Sequence, residues 1–203
     1  MALRKTCAVI GGGTMGADIA LTLARAGNPT HVVETFDAVR QGLPARLAAG
    51  LASFGCPDRL DLVEVHASLD DVDWPSVDLA IEAVPEKLDL KRALFAELAH
   101  RARPDAWLAS NSSSFPISAI ADGLARPGRF LGLHYFMPAH LVPLVEVVCG
   151  AASDPAIARA LADFMRSTGK VPVIVKKDLP GFLANRLQHA LAREAYALID
   201  AGV

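Results

Sequence analysis

The stretch TCAVIGGGTMGADIALTLARAGNPTHVVE, residues 6–34, decides the fold. It opens with an apolar run, Thr6 to Ile10, that stops at three glycines. A segment with Ile19, Leu23 and Ala26 at helical spacing follows, closing at Gly27, and a second strand-like run ends in the acid Glu34. Gly11, Gly13 and Gly16 fit G-x-G-x-x-G, with Thr14 and Met15 completing the loop. Alone such a triplet is weak, but strand, glycines, helix, strand and acid in that order carry a mechanism. Gly11 permits the tight turn, Gly13 lets backbone approach a pyrophosphate, and Gly16 lets the helix pack on the strand. The N–H groups at the start of the helix then face the phosphates. Glu34 lies about 20 residues beyond the loop, where an acid binds a ribose 2′-hydroxyl. Neither Thr35 nor Phe36 is an arginine that would welcome a 2′-phosphate, so NAD is favoured over NADP.

Working outward, strand and helix patterns alternate to the end of the chain. Strand runs are expected at LVEVHA, DLAIEAV (78–84), AWLASN, RFLGLHYF, LVEVV and VPVIV. Helices are expected over 36–54, with a weak spot at Gly42–Pro44, and over 86–102, with Leu90, Leu94, Phe95 and Leu98 on one face. Others are expected near 116–124 and from Asp154 to Gly169. CPDRLD reads as a loop. This alternation predicts an α/β fold, a Rossmann-type and largely parallel sheet with flanking helices. The composition changes near KKDLPG, and one long helical run follows with Leu183, Leu187, Leu191 and Leu198 as an apolar stripe. The expectation is a dinucleotide-binding domain over 1–179. Residues 180–203 would then begin an all-helical domain whose remainder is absent from the chain, or the stripe is covered by another copy.

Composition excludes several classes. A net charge of −2, with lysine and arginine scattered, leaves no footprint for nucleic acid. No apolar stretch reaches the ~20 residues of a membrane span, and the start is too short in apolar residues for a signal peptide. A soluble cytoplasmic protein is expected. Cys7, Cys56 and Cys149 are three widely spaced residues without a C-x-x-C pair and read as buried reduced thiols. The six histidines form no short-spaced zinc cluster, and no metal is expected.

Glu146 lies among Leu144, Val145, Val147 and Val148, where an unpartnered charge costs several kcal/mol (roughly, in apolar surroundings). His134, at the end of the preceding strand run, is its candidate partner. An imidazole can take an alcohol proton while hydride leaves the same carbon, provided its other nitrogen meets a fixed acceptor.

Six ordered motifs now resemble a known family: VIGGGTMGADIA, IEAVPEKLDLKRALFAEL, SNSSSFPISAIA, RFLGLHYFMP, LVPLVEVV and DLPGFLANRL. Their order is that of the 3-hydroxyacyl-CoA dehydrogenases, and it covers nearly the whole chain except roughly 36–76. The resemblance implies an NAD domain followed by a helical domain that dimerises and closes the substrate site, with a homodimer in the full-length protein. It also implies that His134 is the acid/base and Glu146 its partner, with Ser113 and Asn185 on the substrate and Ser113 on the cofactor as well. Glu86 and Lys91 match positions near the nicotinamide ribose, and Asn111 is a contact on the nicotinamide side. Without the family, Glu86 and Lys91 would read as a solvated helix face, SNSSS as a polar turn and His140 as a solvated loop residue.

Two departures touch the substrate. Members that use acyl-CoA commonly carry a longer, lysine-bearing helical hairpin after the second strand, whereas residues 35–62 contain Gly42, Pro44 and Pro57 and no lysine. Arg40, Arg46 and Arg59 are the cations left there for phosphates. Met137 stands where the family usually has asparagine. The leading expectation is an NAD-dependent L-3-hydroxyacyl-CoA dehydrogenase active in fatty acid metabolism. A dehydrogenase of a free 3-hydroxy acid, gulonate- or carnitine-like, and a non-catalytic NAD-binding protein are the alternatives. A serine hydrolase lacks its G-x-S-x-G, and a lysine-dependent β-hydroxyacid dehydrogenase leaves the His134–Glu146 pair unexplained.

Overall fold

The computed structural model describes residues 4–203. The strands are β1 (Cys7–Ile10), β2 (Thr30–Val33), β3 (Val63–His66), β4 (Leu79–Glu82), β5 (Trp107–Ser110), β6 (Phe130–Tyr135), β7 (Leu144–Cys149) and β8 (Val171–Val175). They form one sheet in the order β3-β2-β1-β4-β5-β6-β7-β8. The first six are parallel in the doubly wound 3-2-1-4-5-6 order; β7 runs antiparallel to β6, and β8 is parallel to β7. The helices are α1 (Thr14–Arg25), α2 (Asp37–Ser53), α3 (Leu88–Arg101), α4 (Ile117–Ile120), α5 (Pro155–Ser167) and α6 (Ala184–Asp200).

Each sheet face builds its own core. Ile19 and Leu23 of α1, Leu43, Leu47 and Leu51 of α2, and Leu161 and Phe164 of α5 bury one face. Phe95 and Leu98 of α3, with Ile117 and Ile120 of α4, bury the other. Strands buried on both faces read as continuous apolar runs, which is why β1 and β4 show no alternation.

Three elements differ from the sequence reading. Helix α2 runs unbroken through Pro44, anchored by Leu43, Leu47 and Leu51 at a four-residue interval. CPDRLD is a 3-10 turn over Pro57–Leu62 rather than an irregular loop. On α3 the buried face is Lys91, Phe95 and Leu98, while Leu90 is exposed. Spacing of three or four from Phe95 reaches Lys91 as readily as Leu90 reaches Leu94, and the apolar pattern alone could not choose between them.

Candidate active site

Along β1, β4, β5 and β6 the register aligns Ile10, Glu82, Ser110 and Gly132 as one row across the sheet. Just beyond this row lie the carboxyl ends of the strands. The chain order reverses between β1 and β4, and open α/β sheets bind ligands in that crevice.

The glycine loop fits a dinucleotide. Gly11 has φ +101°, and a Cβ there would meet the Ala83 carbonyl oxygen at 2.6 Å. A Cβ on Gly16 would fall 1.7 Å from the Gly11 carbonyl oxygen, so that position admits glycine only. A Cβ on Gly13 would face open space, where the backbone is free to approach a pyrophosphate. Helix α1 starts beside Thr14, Met15 and Gly16 with no side-chain cap, which leaves its first amides for an anion. Glu34 is buried at the end of β2; its carboxylate accepts the Gly12 N–H at 2.8 Å and the Phe36 N–H at 2.8 Å. It shapes the glycine loop. Arg40 is committed to the Glu34 carbonyl at 2.9 Å and to Asp37.

A second network lies under the loop after β5. Glu82, fully buried at the end of β4, accepts Lys91 Nζ at 2.6 Å, Ser110 Oγ at 2.6 Å and the Val84 N–H at 2.8 Å. Lys91 is also buried; besides Glu82 it meets Glu86 at 3.0 Å and the Val84 carbonyl at 3.4 Å, which occupies its three donors. A solvated helix face is therefore not what Lys91 provides, nor has it a proton left for the cofactor. Glu86 accepts the Ser112 hydroxyl and, at 3.1 Å, the Ser114 N–H. Burial pushes the Glu86 carboxyl up, but the Ser112 hydrogen bond and the Lys91 charge outweigh it and hold the group below its ordinary range. Asn111 accepts the Tyr135 N–H at 2.9 Å and fixes the loop to β6. Ser113, unlike Ser112, is exposed, and its carbonyl accepts Asn185 Nδ2 at 3.3 Å.

His134 and Glu146 are direct register partners on β6 and β7, both buried, with His134 Nδ1 at 2.7 Å from Glu146 Oε2. The second oxygen of Glu146 accepts the N–H groups of Leu183 at 3.0 Å and Ala184 at 2.9 Å. These are the first amides of α6, so the carboxylate caps a helix N-terminus as an anion should. Burial raises the Glu146 carboxyl, but His134 and the two amides bring it below the usual carboxylate range. The imidazole stands between Phe136 and Phe182, at ring-centroid distances of 4.5 and 5.6 Å. Phe182 is buried with φ +50°, in the left-handed region that non-glycine residues rarely occupy. A cleft of about 370 Å³ is lined by Ser113, Ser114, Gly181, Asn185, Arg186 and His189, among others.

The sequence reading missed Glu82, Ser110, Ser112 and Phe182. Glu82 gave the same signal as Glu146, an acid in an apolar strand. His140 is half-buried, with its Nδ1 2.9 Å from Asp18 Oδ2 but outside hydrogen-bonding geometry, and Asp18 also pairs with Arg46 at 2.7 Å. That pairing ties the loop after β6 to α1 and commits Arg46. Met137 is 70% exposed and precedes a cis proline, Pro138.

A 3-2-1-4-5-6 core with an uncapped glycine-loop helix and an acid just after its second strand defines a dinucleotide-binding domain. Residues 6–179 match the family described as 3-hydroxyacyl-CoA dehydrogenase, NAD binding domain, and the chain belongs to that family; its cofactor is NAD. Among solved structures it is similar to 3-hydroxybutyryl-CoA dehydrogenase from Escherichia coli K12, with 35% identity and a TM-score of 0.89, over 98% of this chain and 43% of that one. The (S)-3-hydroxybutyryl-CoA dehydrogenase PaaH1 from Ralstonia eutropha is 29% identical, with a TM-score of 0.90 over 98% of this chain and 72% of that one. A third similar structure is 5-formyl-3-hydroxy-2-methylpyridine 4-carboxylic acid 5-dehydrogenase, an NAD⁺-dependent dismutase. It is 31% identical, with a TM-score of 0.88 over 98% of this chain and 66% of that one. The chain thus spans from under half to about three quarters of the length of these relatives. Among the described residues no helix is long and apolar enough to cross a membrane.

Proposed function

We propose that this chain supplies the NAD site and the proton-transfer pair of an L-3-hydroxyacyl-CoA dehydrogenase. The observation that carries the reading is the buried His134–Glu146 pair, 2.7 Å apart and seated on the first amides of α6. With Nδ1 held by Glu146, Nε2 of His134 is the atom that takes the proton of the substrate 3-hydroxyl. Glu146 fixes the tautomer and stabilises the imidazolium that results. NAD, held by the glycine-loop amides and Glu34, would supply the acceptor for the C3 hydride, while His134 takes the hydroxyl proton as the alcohol becomes a ketone. Asn185 and Ser113, joined across the cleft, offer an amide and a hydroxyl to the substrate carbonyl. The amides at Thr14–Gly16 take the pyrophosphate and Glu34 the ribose. Glu86, Lys91 and Asn111 hold the loop that presents Ser113 to the cofactor. Helix α6, with Leu187 and Leu191 more than 70% exposed, opens a helical domain that completes the substrate site and pairs two copies.

A second reading, a free 3-hydroxy acid as substrate, rests on residues 37–53. They form one helix packed flat on the core, without lysine, and Arg40 and Arg46 are already committed. One experiment separates the two: NADH oxidation by the full-length protein carrying this domain, with acetoacetyl-CoA and with acetoacetate. Turnover with the thioester alone supports CoA, turnover with acetoacetate alone supports the free acid, and NADH binding without turnover on either would remove the dehydrogenase reading.

A further inference from the structure

Four strands away from His134, the sheet edge gathers a set of side chains that the cofactor site does not use. His31 of β2 is the register partner of Glu64 on β3, and His66 lies two residues further along β3, on the same face. His31 Nδ1 and His66 Nε2 are 3.0 Å apart, and Glu64 Oε2 is 3.6 Å from each. Three potential ligand atoms thus converge within 4.8 Å. The imidazoles are largely buried, at 12% and 13% side-chain exposure, while Glu64 is 67% exposed and gives a path from solvent.

We propose that His31, His66 and Glu64 form a zinc site. Zinc holds imidazole nitrogens at about 2.0–2.1 Å and carboxylate oxygen at about 2.0–2.2 Å. A tetrahedral angle then spaces neighbouring ligand atoms about 3.3–3.5 Å apart, close to the separations found here. Two imidazoles and a carboxylate are a donor set that zinc takes, with water in the fourth position. Without the ion, two ring nitrogens at 3.0 Å share one proton in a hydrogen bond, so at least one is already an unprotonated donor. Binding needs a tautomer change rather than a rearrangement. Four strand spacings, about 19 Å of sheet, separate β2 from β6, so the ion has no part in proton transfer at His134. Its place is structural. β3 is the sheet edge, and the His66 carbonyl accepts the Glu34 N–H at 3.0 Å. An ion joining β2 to β3 clamps the strand ends that carry the ribose acid.

Sequence spacing hid the site because His31 and Glu64 meet only through parallel pairing across a 33-residue interval. The test is zinc titration of the tag-free, chelator-stripped chain by calorimetry, with thermal midpoint and the visible spectrum of the Co²⁺ form as second readouts. One saturable equivalent is expected, with a rise in midpoint and a tetrahedral Co²⁺ band. His66→Ala should abolish binding, Glu64→Gln should weaken it at least about tenfold, and His100→Asn should leave it unchanged. The Glu64 side chain is mostly in solvent, so Glu64→Gln keeps the test valid should His66→Ala fold poorly. Titration without saturation, or one equivalent persisting unchanged in Glu64→Gln, would overturn the proposal and leave the histidines as a plain hydrogen-bonded pair.

Discussion

Glu82 and Glu146 are both fully buried carboxylates in apolar strands, yet their partners make them different devices. Glu82 meets an ammonium whose three donors are all occupied by Glu82, Glu86 and the Val84 carbonyl. That arrangement is a strut: no proton is free to move, and the loop carrying Asn111–Ser114 is held over the crevice. Glu146 meets an imidazole, which has a second ring nitrogen beyond the one Glu146 holds. A buried acid therefore braces structure or, as we propose for Glu146, supports proton transfer according to what its partner has left over. Both carboxylates avoid the cost of burial in the same way, through three hydrogen bonds each.

The comparison breaks most visibly at the partners. His134→Ala should lower kcat by ~10²–10⁴-fold while NADH affinity, read by fluorescence titration, stays as in the parent. Unchanged turnover would make His134 a core histidine and put both carboxylates in the structural class. Lys91→Met should act the other way round. It leaves Glu82 charged, buried and unpaired, at a cost of about 3–5 kcal/mol in unfolding free energy, measurable by urea denaturation. The double variant Lys91→Met/Glu82→Gln should recover part of that loss. If Lys91→Met instead left stability intact and removed turnover alone, Lys91 would have to touch the ligands.

A third carboxylate sharpens the contrast, because among the described residues Glu34 accepts only backbone amides, that of Gly12 in the glycine loop and that of Phe36 in its own. Glu34→Ala should weaken NADH binding by about tenfold, the worth of one or two hydrogen bonds at roughly 1.4 kcal/mol. An unchanged Kd would confine Glu34 to shaping the Gly12 turn.

How much of this was legible in the sequence follows from the range of the interactions. The glycine loop and Glu34 are separated by one helix and one strand with fixed geometry, so their spacing announces that they meet, as the Gly12–Glu34 hydrogen bond shows. His134 and Glu146 belong to neighbouring antiparallel strands, and an acid in an apolar run advertised the pair. Glu82 sent the same signal, but its partner Lys91 sits on a helix where lysine ordinarily means solvent. Only the packing of α3, which buries Lys91 with Phe95 and Leu98, turns that face inward. The choice between Ser112 and Ser113 is also tertiary: adjacent residues of one loop point one to Glu86 and the other to the cleft. His31 with His66, and His140 with Asp18, needed the sheet and the helix α1 to bring them together.

The smallest effect concerns acid, and its sign follows from how Glu146 is held. Its folded-state pKa lies below the ordinary glutamate value, because the His134 and α6 hydrogen bonds favour the anion more than burial opposes it. Between the folded and unfolded values the unfolded chain binds more protons, so stability rises with pH through that window. Glu146 therefore contributes its full share at neutral pH and down to about pH 5. The contribution starts to fall as pH approaches 4.5 and is gone only below the lower, folded value. Denaturation measured from pH 7 to 3 should show Glu146→Gln with a shallower acid decline than the parent, the two curves converging at the acid end. Parallel curves over that range would mean that the carboxylate is not held as an anion by α6. The helix amides would then be a bystander to the pair rather than its anchor.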